Sequence, residues 1–233
     1  MEALGQLSPQ DWLQHSDTRT VMQALQARGA TARFAGGCVR DAILGLPVHD
    51  VDIAIDCAPE ETMALLQAAG IRAIPTGLAH GTVTAVLPDH TFEITTLRKD
   101  IETDGRHAVV DFTDDWDADA ARRDLTINAL YADLDGTVYD PCHGLADLGA
   151  GRVRFVGNAE HRIGEDVLRL LRYFRFYGRF GKPPANPDAL SACRKLAHRI
   201  PELSGERIRS EMLRILAGHD PGEVLVLMRG EGV

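Results

Sequence analysis

Two carboxylates one residue apart, Asp50 and Asp52, stand where an apolar segment begins. Val51, Ile53 and Ile55 alternate there with Asp52, Ala54 and Asp56, the period of a half-buried strand over 51–56. Residues i and i+2 share a strand face, so Asp50 and Asp52 are expected side by side. Paired negative charges are costly unless a cation neutralises them. A hard divalent ion such as Mg²⁺ takes oxygen ligands, commonly one or two carboxylates plus substrate phosphates. Two such ions can clamp an in-line phosphoryl displacement. An Asp-x-Asp also fits a plain solvated strand edge, so its surroundings have to decide.

Just upstream, Thr31–Ala35 reads as a strand that runs into Gly36-Gly37, and Cys38–Leu44 reads as a helix ended by Gly45. A Gly-Gly between strand and helix lets backbone N–H groups approach a phosphate. Arg40, on the first turn, could pair with the same phosphate. Phosphate loop and carboxylates are nine to sixteen residues apart, which suggests one site, though a simple strand–helix turn has the same composition. Thr82–Leu87 and Thr91–Leu97 read as strands joined by Pro88-Asp89-His90. Glu93, between Phe92 and Ile94, can face away from its apolar neighbours and supply a third carboxylate, or be an ordinary exposed strand residue.

The rest of the first part mixes helix and strand. Val21–Arg28 belongs to an amphipathic helix stopped by Gly29, and Pro59–Ala69 is a helix with proline at its start and Gly70 beyond. Leu130–Leu134 and Thr137–Tyr139 form a hairpin across Asp135-Gly136. From Ile163 the pattern turns helical: Ile163, Val167, Leu170, Leu171 and Phe174 recur at helical spacing, and Ile208, Met212, Ile215 and Leu216 mark another helix. A boundary near residue 150 is expected, with an α/β domain over 1–150 and a helical one over 151–233. The chain stops abruptly after the apolar run Val224–Met228, which suggests a truncated piece.

Charge follows the same division. The chain has 233 residues and a net charge of −9, which argues against a nucleic-acid partner until its distribution is considered. Residues 1–150 carry 10 Lys+Arg against 24 Asp+Glu; residues 151–233 carry 15 against 10. Only the second part has the balance of a phosphate-backbone binder, although solvated helix faces would explain it equally. No stretch approaches the ~20 apolar residues of a membrane span. The N-terminus lacks the basic start and apolar run of a signal peptide. Cys38, Cys57, Cys142 and Cys193 are widely spread, with no C-x-x-C pair, as for free thiols in a reducing compartment. These features point to the cytoplasm, with no obligate protein partner evident.

Two polar clusters remain. Arg122-Arg123-Asp124-Leu125-Thr126-Ile127-Asn128-Ala129 opens an apolar segment. Arginine can clamp a triphosphate, and Asp124 or Asn128 can bind ribose hydroxyls. A helix start with Asp124 near its N-terminus would account for the same residues. Glu165-Asp166-Val167-Leu168-Arg169-Leu170-Leu171-Arg172 places Asp166 and Arg169 three apart on one helix face, with Arg172 a turn on and in reach of phosphate. The pair is either an intrahelical ion pair or a base sensor. Cytosine and adenine both present an exocyclic amine beside a ring acceptor. A carboxylate and a guanidinium match that edge and leave guanine or uracil with unpaired polar groups, which such a site penalises.

Together, Gly36-Gly37-x-Val39-Arg40-Asp41, Asp50-x-Asp52, the 122–129 cluster and Glu165-Asp166-x-x-Arg169-x-x-Arg172 resemble the class II tRNA nucleotidyltransferase and bacterial poly(A) polymerase family, in order and in spacing. Gly205-Glu206-Arg207-Ile208 resembles that family's structural motif in the neck. The resemblance runs from about Phe34 to Leu216. It implies an α/β nucleotidyltransferase head, a polymerase-β-like palm with a mixed β-sheet, followed by an all-helical neck. It implies Mg²⁺ on Asp50 and Asp52 with Glu93 near, phosphate and ribose contacts from Arg122 and Asp124, and selection of C and A by Asp166 and Arg169. Asp104-Gly105-Arg106-His107 resembles the loop that helps switch from C to A addition. Leu125 stands where the family commonly has Phe, and His143 in Asp140-Pro141-Cys142-His143-Gly144 stands where a Gly-Gly turn is common. Members of that family usually continue into helical body and tail domains that grip tRNA, which the resemblance implies are mostly absent from this sequence.

The expected activity is CCA addition to the tRNA 3′ end from CTP and ATP. A poly(A) or A-adding enzyme shares every motif used here. A non-catalytic nucleotide-binding remnant has no need of clustered carboxylates. Nucleotidyl transfer to a protein or small molecule fits poorly with the basic second part.

Overall fold

The computed structural model describes the backbone of residues 1–103 and 108–233, and side chains outside 100–110. Two compact units emerge. The first gathers Met1–Ile101, Val110–Arg122 and Asn128–Cys142; the second gathers Arg123–Ile127 and His143–Val233. The chain thus passes from one unit to the other before the residue 150 expected from the pattern, and the short segment Arg123–Ile127 belongs with the later residues.

The first unit is built on an eight-stranded mixed sheet. Its strands are β1 (Ala3–Gln6), β2 (Ala32–Ala35), β3 (Asp52–Ile55), β4 (Arg72–Gly77), β5 (Thr82–Val86), β6 (Thr91–Thr96), and, beyond a separate two-stranded ribbon of β7 (Arg98–Thr103) and β8 (Ala108–Phe112), β9 (Tyr131–Ala132) and β10 (Thr137–Tyr139). The order across the sheet is β1-β10-β9-β2-β3-β6-β5-β4. Only β3 and β6 run parallel; the other neighbours are antiparallel. The Pro88–His90 turn and the Asp135-Gly136 turn close hairpins as the sequence suggests.

Period-two burial fixes the register. In β6, Phe92, Ile94 and Thr96 are buried while Glu93 is exposed, and in β5 Val83 and Ala85 are buried. Helices cover that apolar face: α1 (Asp11–Gln14), α2 (Ser16–Gln26), α3 (Gly37–Ile43) and α4 (Pro59–Ala68), with α2 packed on β2 and on α4, and α4 on β4 and β5. A further helix, α5 (Trp116–Ala121), precedes the 122–129 cluster. Each buried Phe or Ile of this core stabilises the sheet by roughly 1.5–3 kcal/mol. β3 departs from expectation. It begins at Asp52, leaving Asp50 and Val51 outside, and it is buried at Ile53, Ala54 and Ile55 alike. A central strand with partners on both sides shelters small Ala54 on either face, so the alternation there was only half informative.

The second unit is helical: α6 (Gly144–Ala150), α7 (Ala159–Glu165), α8 (Leu168–Phe180), α9 (Pro187–Leu196), α10 (Gly205–Leu216) and α11 (Pro221–Gly230). The segment 124–126 joins it as a strand-like bridge, with the Val156 N–H donating to the Asp124 carbonyl (3.0 Å) and the Thr126 N–H to that of Arg154 (3.2 Å). α8 is the hub, contacting α7, α10 and α11 and burying Leu170, Leu171, Tyr173, Phe174 and Phe176. The apolar repeat from Ile163 to Phe174 does not form one helix. Asp166 is extended (φ −152°, ψ 108°) and divides α7 from α8, although Ile163 and Val167 are buried as their spacing suggests. No helix among the described residues is long and apolar enough to cross a membrane.

Candidate active site

The carboxylate site is made by strand pairing. Asp52 opens β3 and is directly opposite Glu93 of the parallel β6. Neighbouring strands lie about 4.8 Å apart, and both residues are exposed, on the face away from Phe92 and Ile94. Asp50 is exposed too, but it precedes the strand, so the i, i+2 rule does not place it beside Asp52. The pair that register brings together is Asp52 with Glu93, and Asp50 lies in the preceding loop. The three are not gathered as a tight ligand cluster: among the described residues, the group with donor atoms within 4.8 Å of one another is His15, Asp17 and His90. The donor set fits a hard divalent ion, since all three candidates offer carboxylate oxygens. Cys38, whose thiol approaches the Asp52 carbonyl (3.7 Å), does not add a soft ligand. Burial first, and then the Asp52 charge, push its pKa up to about 11, so it stays a neutral thiol.

The Gly-Gly turn has the form that the sequence suggests. Gly36 takes φ +72°, a conformation open to glycine, and α3 begins at Gly37. The Gly36 N–H is engaged by the Leu130 carbonyl (2.8 Å), and the Arg40 N–H closes the first helical bond to Gly36 (3.0 Å). The N–H groups of Gly37, Cys38 and Val39 therefore lie in the helix's first turn, where no intrahelical partner exists. Arg40, expected to pair with phosphate, has protein partners in the fold. It is buried, its guanidinium donating to Asp41 (2.8 Å) and to the Asn128 side chain (2.5 Å). Arg40 and Asn128, both expected on nucleotide, are thereby tied to each other. Arg122 ends α5 rather than opening a helix, and it grips the buried Asp119 through two bonds (2.9 and 2.6 Å). Asp119 also accepts from the Tyr131 hydroxyl (2.7 Å). This buried acid organises the turn, and Trp-Asp-Ala-Asp-Ala-Ala gives no sign of which aspartate does so.

The second unit holds a separate polar cluster. Asp124 is buried; one oxygen accepts from the Leu125 N–H (2.8 Å), the other takes a two-pronged contact from Arg172 (2.7 and 2.6 Å). Two side chains expected on substrate are again partners. Burial opposes the charge on Arg172, and Asp124 outweighs it, so the guanidinium pKa is raised. Asp166 is a hinge residue rather than part of a helical face. One oxygen accepts from the Leu168 N–H (3.1 Å) and the other from Arg207 (2.7 Å). Arg169 bonds to Glu165 and to the Arg162 carbonyl. Arg207, from the 205–208 motif, was not singled out as a site residue. Nothing in its local pattern shows that it holds Asp166, because the two are 41 positions apart. His143 adopts φ +59°, the one non-glycine in that region among the described residues, so the turn keeps a glycine-like backbone with a histidine in it. The 104–107 loop lies outside the described residues.

A mixed sheet bearing paired carboxylates on its open face, beside a Gly-Gly turn into a helix, is the head of a nucleotidyltransferase. Two family profiles match: "Poly A polymerase head domain" over residues 32–154 and "Probable RNA and SrmB- binding site of polymerase A" over residues 186–233. The chain belongs to the class II tRNA nucleotidyltransferase and poly(A) polymerase family. It is 51% identical over 199 residues to the mitochondrial CCA tRNA nucleotidyltransferase 1 of Danio rerio, covering 84% of this chain and 46% of that protein. Among solved structures it resembles the Bacillus stearothermophilus CCA-adding enzyme in complex with CTP (TM-score 0.80, 36% identity, 89% of this chain and 50% of that one). It also resembles a tRNA nucleotidyltransferase complexed with a primer tRNA and an incoming ATP analog (TM-score 0.75, 27% identity, 91% and 60%). The chain spans about half the length of the curated relatives it matches.

Proposed function

We propose that this chain adds C and A nucleotides from CTP and ATP to the 3′ end of tRNA, without a nucleic-acid template, by metal-assisted nucleotidyl transfer. The observation that carries the reading is the register that sets Asp52 opposite Glu93 on the open face of the sheet. Asp50 and Asp52, with Glu93 alongside, would hold Mg²⁺, which supplies positive charge to the attacking oxygen and the phosphates when bound. The first-turn N–H groups of Gly37, Cys38 and Val39 are suited to a triphosphate oxygen. Arg40, Asn128 and Arg122 serve this site by fixing its frame. The primer's 3′ hydroxyl would release its proton to solvent as its oxygen bonds to the α-phosphorus, while the bond from that phosphorus to the α–β bridging oxygen breaks and pyrophosphate leaves.

Asp124 and Arg172 frame the nucleotide side of the second unit, and Asp166 with Arg169 selects the base. Asp166 is anchored through both oxygens, yet an ionised carboxylate accepts at about four sites, so it can still take a bond from the amine of C or A. The relatives named for CCA addition favour this product over poly(A). Among the described residues the four cysteines form no disulfide, which suits a reducing compartment, here read as the cytoplasm. Asp52→Asn and Glu93→Gln replace exposed groups, so both variants should fold. Each is expected to lower Mg²⁺-dependent incorporation into tRNA by at least about 100-fold, with an unchanged circular dichroism spectrum. Turnover like that of the unaltered chain would remove the metal assignment.

A further inference from the structure

The opposite face of the same sheet carries a different constellation. His15 is the N-cap of α2, Asp17 lies in that helix's first turn, and His90 is in the turn that leads into β6. Their donor atoms lie within 4.8 Å of one another, and among the described residues no other three His, Cys, Asp or Glu side chains are so gathered. His90 is in phase with Phe92, its ring 6.2 Å from that ring, whereas Glu93 points to the other face. This group is therefore distinct from the Asp52–Glu93 pair.

Its chemistry differs as well. Two imidazoles and one carboxylate make a mixed nitrogen–oxygen set, poorly suited to Mg²⁺ and well suited to Zn²⁺ or another late first-row divalent ion. Zinc–ligand bonds of about 2.0–2.1 Å place tetrahedral ligands about 3.3 Å apart. The His90 Nδ1 and the nearer Asp17 oxygen are already 3.2 Å apart. The imidazoles of His15 and His90 meet edge to face at 4.2 Å between centroids. Asp17 is buried and braced by the Asp89 N–H (3.3 Å), while the His90 side chain is 48% exposed, which leaves the solvent side open to a water ligand. His15 accepts from the Asp17 N–H through Nδ1 (3.2 Å), a cap that it would exchange for the ion.

We propose that His15, Asp17 and His90 form a transition-metal site that clips the start of α2 to the β5–β6 turn, across 73 residues of sequence. Because the ligands come together only in the fold, ion binding adds to folding stability. The test is Co²⁺ and Zn²⁺ titration of the whole chain in excess Mg²⁺. Co²⁺ should develop the intense visible absorption of a four-coordinate site, and Zn²⁺ should raise Tm. Both effects should persist in Asp52→Asn and weaken at least about tenfold in apparent affinity in His90→Ala, a change at an exposed turn. Asp17→Asn should weaken them too. Absence of the band in the unaltered chain, its survival in His90→Ala, or its loss in Asp52→Asn would each overturn the proposal. The first two results would leave the trio as a hydrogen-bonded stitch, and the third would assign the ion to the carboxylate pair.

Discussion

Asp166 shows how much one backbone angle decides. Extended rather than helical, it caps α8 with one oxygen and takes Arg207 with the other. If it also reads the base, removing its carboxylate should blunt discrimination while catalysis continues. Asp166→Ala is expected to lower the preference for CTP and ATP over UTP and GTP by about tenfold or more, one hydrogen bond's worth of selectivity. The ratio of kcat/KM values across the four triphosphates measures it, and an unchanged ratio would confine Asp166 to capping. A second residue-level test concerns the turn before α6. A Cβ on Gly144 would be 2.2 Å from the Thr126 carbonyl oxygen, a backbone atom that cannot swing aside. Gly144→Ala should therefore destabilise by about 2–4 kcal/mol, read as a lower Tm. A Tm within a degree or so of the unaltered chain would show that the segment 124–126 is more yielding than its pairing with 154–156 implies.

At the scale of elements, α3 is tied to Asn128 by a buried bridge. Arg40→Ala removes the guanidinium bonds to Asp41 and Asn128 and should cost about 2–4 kcal/mol, less than for a fully buried pair because Asp41 is partly exposed. Thermal melting tests this, and a KM effect with no Tm change would return Arg40 to the phosphate contact that its sequence position suggested. The contrast explains what was legible. Strands β5 and β6, helices α3 and α4 and the two hairpins carry local signals: alternation, Pro at N1, Gly at the C-terminus, two- and three-residue turns. Glu93 could be placed by its phase against Phe92 and Ile94 alone. What no local signal carries is partnership across the chain. Arg40 with Asn128, Asp124 with Arg172 and Asp166 with Arg207 each join residues 41 to 88 positions apart. Strands β1 and β4 were missed because neither shows period-two burial: β1 is exposed throughout and β4 has no buried residue.

Taken whole, the molecule pairs an acidic α/β unit, which holds the proposed carboxylate ligands, with a basic helical unit rich in arginine. That division is written in the charge pattern, where the second part has an excess of Lys+Arg. Both units are proposed to serve one reaction, addition of C and A to a tRNA end. It is tested most directly by supplying each labelled nucleoside triphosphate, singly and together, with Mg²⁺, this chain and a tRNA lacking its terminal CCA, and by sizing the products to single-nucleotide resolution. The expected result is addition of two C residues followed by one A, with UTP and GTP unused. Equal use of all four triphosphates, an open-ended run of A, or no incorporation of C would contradict it.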